Sequence, residues 1–235
     1  MQQTARHHKI YSQLRRGAWF GNLAPSIAEM LFDSGRLESY DAGDGIYPED
    51  APTQGLFGIV EGAVHFERGD HGGQRLLLHV ACPGYWFGEI AATGAIRTMV
   101  SARAFVPTQI WRVPVHAVSN VLTTEPELFG SLSTLMAGRF AALIEIVCMM
   151  HKHSALAQVA GRLAILDRNC KESDSAVAVS VLRMTQSDLA DMTGHVRQTF
   201  NTAIKQLENE GLIKVGHRQI EVLKPAALAA CSIGG

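Results

Sequence analysis

Residues 184–223 read MTQSDLADMTGHVRQTFNTAIKQLENEGLIKVGHRQIEVL, and their reading decides the fold. Thr185-x-x-Asp188 is a capping-box pattern that opens a short helix. Gly194 breaks the pattern where two helices must turn sharply. A second apolar series follows at Val196, Phe200, Ala203, Ile204 and Leu207, which makes one stripe of an α-helix over about 196–210. The opposite face carries Arg197, Gln198, Asn201, Thr202 and Lys205, side chains of the kind that reach base edges and phosphates in a major groove. Gly211 stops the helix. Leu212–Val215 and Gln219–Val222 then read as short strands joined by Gly216-His217-Arg218, a polar tip able to touch backbone phosphate. Helix, turn, helix and two-stranded wing make a winged helix-turn-helix, a unit that docks its second helix into duplex DNA. The same unit also serves as a packing module or a protein-contact surface.

Composition bounds the rest. A chain of 235 residues with 47% hydrophobic and 18% charged content is globular and long enough for one or two domains. The formal net charge is −1, and residues 155–235 hold nine Lys/Arg against eight Asp/Glu. Affinity for nucleic acid therefore rests on a few placed cations rather than a broad basic field. Cys82, Cys148, Cys170 and Cys231 are widely spaced with no CxxC pair, which reads as free thiols of a reducing, cytoplasmic setting. The N-terminus has no secretory apolar region, and the most apolar stretch, Phe140–Met150, contains Glu145, so no membrane span is expected. No nucleophile–base–acid set, metal motif or phosphate-binding loop appears, which argues against an enzyme.

Outward from the helix-turn-helix, the texture changes twice. Residues 1–20 are polar and basic and read as a frayed arm. Pro25–Phe32 reads as a short helix. From Leu37 to Pro114, short apolar runs alternate with Gly, Pro and Asp turns, the pattern of an all-β sandwich or roll. At Pro114 the pattern becomes helical. Val115–Leu122 is short, and Glu127–His151 is apolar on several faces, so it must be covered on several sides. Two covers remain open: the same helix from a second chain, or the core of a monomer. His151-Lys152-His153-Ser154 is a polar break that reads as a hinge, Ala155–Arg168 as a helix, and Val177–Val181 as a strand. The expected architecture is α+β: a roll over residues 1–125, a dimerisation helix and hinge over 126–153, and a winged helix-turn-helix over 154–235.

In that order, β-roll, long helix and winged helix-turn-helix resemble the cAMP receptor protein / fumarate-nitrate regulator (CRP/FNR) family of transcription regulators. The resemblance covers about residues 18–225. Its most specific pieces are Phe87-Gly88-Glu89-Ile90 after Pro83-Gly84, the Gly194-x-x-Arg197-x-Thr199 start, and Leu207-Glu208-x-x-Gly211-Leu212-Ile213. It implies a homodimer that binds double-stranded, pseudo-palindromic DNA and works with RNA polymerase. It places Arg197, Gln198 and Thr202 where the family reads bases, with Thr199 and Lys205 on phosphate and His217 and Arg218 at the wing tip.

The resemblance also implies an effector site in the roll. In members that bind cAMP or cGMP, a Gly-Glu pair and a downstream Arg-Ser/Thr/Ala pair cradle the phosphate and ribose. Gly88-Glu89 matches the first pair, and Arg97-Thr98 is the candidate for the second, one residue out of register. The long-helix positions that meet adenine in the family fall on Val147 and Cys148, which supply fewer hydrogen bonds. An iron–sulfur cluster needs clustered cysteines, and residues 1–81 contain none. Haem needs placed axial ligands; His79 with Cys82, or His151 with His153, are chance pairs among ten histidines. A small apolar or carboxylate ligand, a redox response at Cys148, and activity without any effector remain as alternatives.

Overall fold

The computed structural model describes residues 2–69, 75–90, 97–151, 154–174, 176 and 178–233. The strands β1 (Arg36–Tyr40), β2 (Gly45–Tyr47), β3 (Gly55–Glu61), β4 (Val64–Gly69), β5 (Arg75–Ala81), β6 (Trp86–Phe87), β7 (Ser101–Ala104) and β8 (Thr108–Pro114) form two four-stranded antiparallel sheets. One has the order β1-β8-β3-β6 and the other β2-β7-β4-β5. Strand β8 is buried on both faces: Ile110 points between the sheets, while Trp111 and Val113 point the other way into the cluster outside the roll. Phe57, Ile59, Val64, Phe66, Phe87 and Ile110 fill the space between the sheets.

The N-terminal arm is not frayed. Residues Gln2–Leu14 form helix α1 and Ala18–Gly21 helix α2, and Ile10, Leu14 and Phe20 are buried. Phe20 stacks on Trp86 with centroids 4.7 Å apart, and the Gln13 amide donates to the Val60 carbonyl. Two apolar residues one turn apart in a polar segment are too sparse to register as a periodic stripe, so their tertiary docking overrides the local signal. Helix α3 (Pro25–Asp33) and helix α4 (Val115–Thr124) complete this cluster on the outside of the roll.

Helix α5 (Glu127–Met150) is held to the roll through its first half. Leu128 and Leu132 are buried in the roll's outer cluster, while Phe140, Leu143, Ile144, Val147 and Met150 are each at least half exposed. By length and composition α5 would also cross a bilayer, with a mean hydropathy of 1.6 over its best window. The expectation from sequence counted uninterrupted apolar residues; the average along one helix is a weaker criterion and does not by itself make α5 a membrane span. The helix is nonetheless anchored to the protein by polar links: Arg139 to Glu89, and Glu145 to Arg168.

The C-terminal unit consists of α6 (Ala155–Ser173), β9 (Ser180–Leu182), α7 (Gln186–Thr193), α8 (Arg197–Asn209), β10 (Ile213–Gly216), β11 (Gln219–Val222) and α9 (Pro225–Ile233). β9 starts three residues later than expected and ends one later, with the sheet order β10-β11-β9. The start of the expected strand at Val177, and hinge residues Lys152 and His153, lie outside the described residues. Val159, Leu163, Leu166, Leu189, Phe200, Ile204, Leu207 and Ile220 form its core.

That core continues into the roll through Leu77 and Val80 of β5, so the two units share a seam. The His65 Nε2–H donates to the Arg183 carbonyl at 2.9 Å, and the His65 ring stacks on Phe105 at 4.1 Å. Arg16 pairs with Asp174 at 3.4 Å. The backbone closes tightly here. A Cβ on Gly84, whose φ is +85°, would stand 1.7 Å from the Ser173 carbonyl oxygen, and one on Gly17 would stand 2.8 Å from it.

The same seam carries a disulfide between Cys82 and Cys170, with Cα atoms 5.4 Å apart and a separation of 88 positions in sequence. This corrects the reading of four free thiols. Cys148 and Cys231 are free, and the other two meet only because α6 packs against the end of β5. Spacing along the chain carries no information on such a tertiary pairing.

Candidate nucleic-acid interface

The geometry around α8 follows from local sequence. Thr185 caps α7 in a closed box: its Oγ1 accepts from the Asp188 amide at 3.1 Å and its own amide donates to Asp188 Oδ2 at 2.6 Å. Gly194 takes φ +66°, the left-handed turn that ends α7. Helix α8 then buries Phe200, Ala203, Ile204 and Leu207. Arg197, Gln198, Asn201, Thr202 and Lys205 line one open concavity of about 480 Å³ on the other side. Thr199 is exposed at the first turn, and Val196 at the N-cap has no side-chain cap, which leaves the leading amides of α8 to an outside acceptor.

The wing is held differently from its sequence reading. His217 is exposed at the tip. Arg218 also lies at the surface but folds back onto the roll: its guanidinium donates to the Phe105 carbonyl at 3.1 Å and sits 4.3 Å from the Phe105 ring centre. Arg218 is therefore occupied in this state rather than free for phosphate.

In the roll, Gly88 takes φ +86° and Glu89 is buried beside it. The partner of Glu89 is Arg139 of α5, whose guanidinium also donates to the Trp86 carbonyl and stands 4.9 Å from the Tyr85 ring centre. Burial disfavours the Arg139 cation, but Tyr85 and Glu89 outweigh it and keep its pKa above the ordinary arginine value. Arg97 is turned elsewhere: it bonds Asp50 through both carboxylate and carbonyl, while Thr98 donates to the Pro48 carbonyl at 2.7 Å and accepts from the Ala51 amide. Val147 and Cys148 are exposed on α5. Gly88 and Glu89 are thus adjacent, but Arg97, Thr98, Val147 and Cys148 do not join them in one cradle. The loop at 91–96 lies outside the described residues.

Sequence reasoning missed Arg139. The available signal was a lone cation in an apolar helical run, which needs a partner when the helix packs. It also missed His79, partly buried at the edge of this cluster 5.3 Å from the Tyr85 ring. Burial, reinforced by the Arg162 and Arg139 cations, pulls its pKa down to about 3. Among the described residues, no group of three or more His, Cys, Asp or Glu side chains is arranged to hold a metal.

An exposed hydrogen-bonding helix backed by a winged core, joined by a long helix to a two-sheet roll, defines a transcription regulator with a helix-turn-helix DNA-binding domain. Comparison with known proteins gives the lineage. Residues 37–125 match the cyclic nucleotide-binding domain and residues 157–231 the Crp-like helix-turn-helix domain. The transcriptional regulator SdrP of Thermus thermophilus is 28% identical over 187 residues, covering 79% of this chain and 88% of that one. A solved CRP/FNR family regulator of the same organism is 25% identical, with a TM-score of 0.62 over 85% of this chain and 99% of its own. FixK2 from Bradyrhizobium japonicum superposes with a TM-score of 0.70 at 23% identity, covering 86% of this chain and 98% of that one. This chain belongs to the CRP/FNR family of transcription regulators. DNA binding and dimerisation go with that membership, and an enzymatic activity does not.

Proposed function

We propose that the protein is a homodimeric, sequence-specific DNA reader in which Arg197, Gln198 and Thr202 meet base edges while Thr199, Lys205 and His217 meet phosphates. The observation that carries this reading is the polar face of α8, concave and open, directly opposite its buried apolar stripe. The exposed stripe of α5 supplies a seam for a second copy, and two copies present two recognition helices to a pseudo-palindromic site. A chromosomal target places the protein in the cytoplasm, with RNA polymerase as its working partner. Selection from a random duplex pool tests the reading. A recovered motif with two-fold symmetry, bound more weakly by the Arg197→Ala variant, supports it. No preference for any duplex would make the helix-turn-helix a protein-contact surface instead.

For the effector, the reading we favour is that the roll does not use the cyclic-nucleotide cradle in this state. Glu89, the group that would accept from a ribose hydroxyl, is already neutralised by Arg139, and Arg97 is spent on Asp50. The retained Gly88-Glu89 pair and the match to the cyclic nucleotide-binding domain favour a second reading, in which cAMP or cGMP displaces Arg139. Calorimetric titration with both nucleotides decides between them: micromolar binding supports the second, and absence of heat the first.

A further inference from the structure

Five contacts hold the DNA-reading unit against the roll: the Cys82–Cys170 bond, His65 with Arg183, Arg218 with Phe105, Arg16 with Asp174, and Arg162 with the Leu78 carbonyl. The last is poorly matched. Arg162 is 2% exposed, and its Nε and Nη1 have no acceptor among the described residues. A buried guanidinium with unmet donors favours an open seam, where water can reach it. The non-covalent contacts therefore close the seam at a cost, and the covalent one does not depend on that balance. The bond is approached from one side only: Cys170 is 3% exposed, and the partly exposed Cys82 is the sulfur an incoming thiol or peroxide would meet. Cys82 and Cys170 both line a cleft of about 580 Å³ between the two units, whose wall includes Glu61, Pro107, Val181 and Arg183.

We infer that Cys82 and Cys170 form a reversible thiol–disulfide site that locks the DNA-reading unit onto the roll, so that oxidation weakens duplex binding and reduction restores it. The inference rests on the DNA-reading function proposed above. Its motive is the wing: while the seam is closed, Arg218 is held by Phe105 and cannot reach a phosphate. In the oxidising direction the co-reactant is a peroxide. One thiolate attacks the peroxide oxygen, giving a sulfenic acid and releasing water after proton uptake. The other thiol attacks that sulfur, forming the S–S bond and releasing a second water, so two electrons pass to the peroxide. In the reducing direction a dithiol attacks one sulfur, and its second thiol resolves the mixed disulfide. The reductant leaves oxidised and both cysteines leave as thiols.

The test uses the full-length dimer in a Cys148→Ser/Cys231→Ser background, so that one pair alone is oxidisable. Duplex affinity is measured after peroxide and after dithiothreitol, with the cross-link verified by non-reducing peptide mapping. The oxidised form should bind the selected duplex about tenfold more weakly, as expected when the competent state is a minor population. A further Cys82→Ser change should bind like the reduced form under both conditions. Equal affinities with the cross-link verified, tighter binding when oxidised, or no cross-link formed by peroxide would each overturn the inference. Hydrogen exchange at Gln219–Val222 gives a readout that needs no duplex: it should rise on reduction, and an unchanged rate would overturn the lock. If no duplex is selected even by the reduced protein, the DNA reading fails and this exchange measurement alone decides the lock.

Discussion

The recognition face of α8 and the interior around Glu89 are both polar sites backed by apolar packing, yet they differ in how their parts are gathered. Arg197, Gln198, Thr202 and Lys205 come from nine consecutive residues, and helical geometry alone sets them side by side. Glu89, Arg139, Tyr85 and His79 come from β5, the turn after it, the residues that follow β6 and the middle of α5, and only the tertiary fold brings them together. The α8 face is solvated and lined with side chains free to meet a partner. At the Glu89 site the carboxylate is buried and already answered by Arg139. One is prepared for an outside ligand, and the other is engaged with the protein itself.

The sharpest way to break that contrast is Arg139→Ala. If the interior pair is structural, losing the cation leaves Glu89 buried and unpaired, and stability should fall by about 3 kcal/mol. Thermal unfolding reads this directly, and the added Glu89→Gln change should recover part of the loss. A variant as stable as the parent would mean the site is already wet and open.

Next in size is a pH effect from His79. Its pKa is about 3 in the fold against 6.5 when exposed, so the unfolded chain takes up a proton that the native chain refuses. The stabilising difference is present above pH 6.5 and is lost as pH falls toward 3, at roughly 3 kcal/mol by pH 4. Denaturant midpoints between pH 7 and 4 should fall steeply for the parent and less steeply for His79→Gln. Parallel slopes would remove His79 from the account.

The α8 face gives smaller effects that differ in kind. Arg197→Ala should cost about 1–3 kcal/mol on the selected duplex and little on a random one, because a base-reading fork is lost. Lys205→Ala should weaken both duplexes alike and lower the slope of affinity against salt by about one ion. Binding isotherms at several salt concentrations separate the two. Equal losses on both duplexes for Arg197→Ala would make that residue a phosphate contact.

This contrast also explains what could be read in advance. The capping box, the left-handed Gly194 and the stripe of α8 are short-range features, and α8 (Arg197–Asn209) formed within a residue or two of its expected limits. The strands β3 and β8 were legible because turn residues bracket them. What stayed hidden depends on partners far away in sequence: the docking of Ile10 and Leu14, the Glu89–Arg139 pair, the Cys82–Cys170 bond, and the return of Arg218 to Phe105. Arg218 is instructive because its residue type and wing position were read correctly, and only its orientation separates a free cation from one held by an aromatic ring.

The glycines at the seam have an evolutionary consequence. Gly84 and Gly17 both press on the Ser173 carbonyl, and neither leaves room for a methyl group. Every amino-acid replacement at Gly84 adds bulk where there is none to spare, and in a backbone conformation that resists a side chain. Mutation at that codon is therefore one-directional: it can loosen the seam and has no means of tightening it. A lineage that came to favour an open seam would need no change at the cysteines and no change in α8. A single base substitution in the Gly84 codon would suffice, and only the restored glycine would undo it.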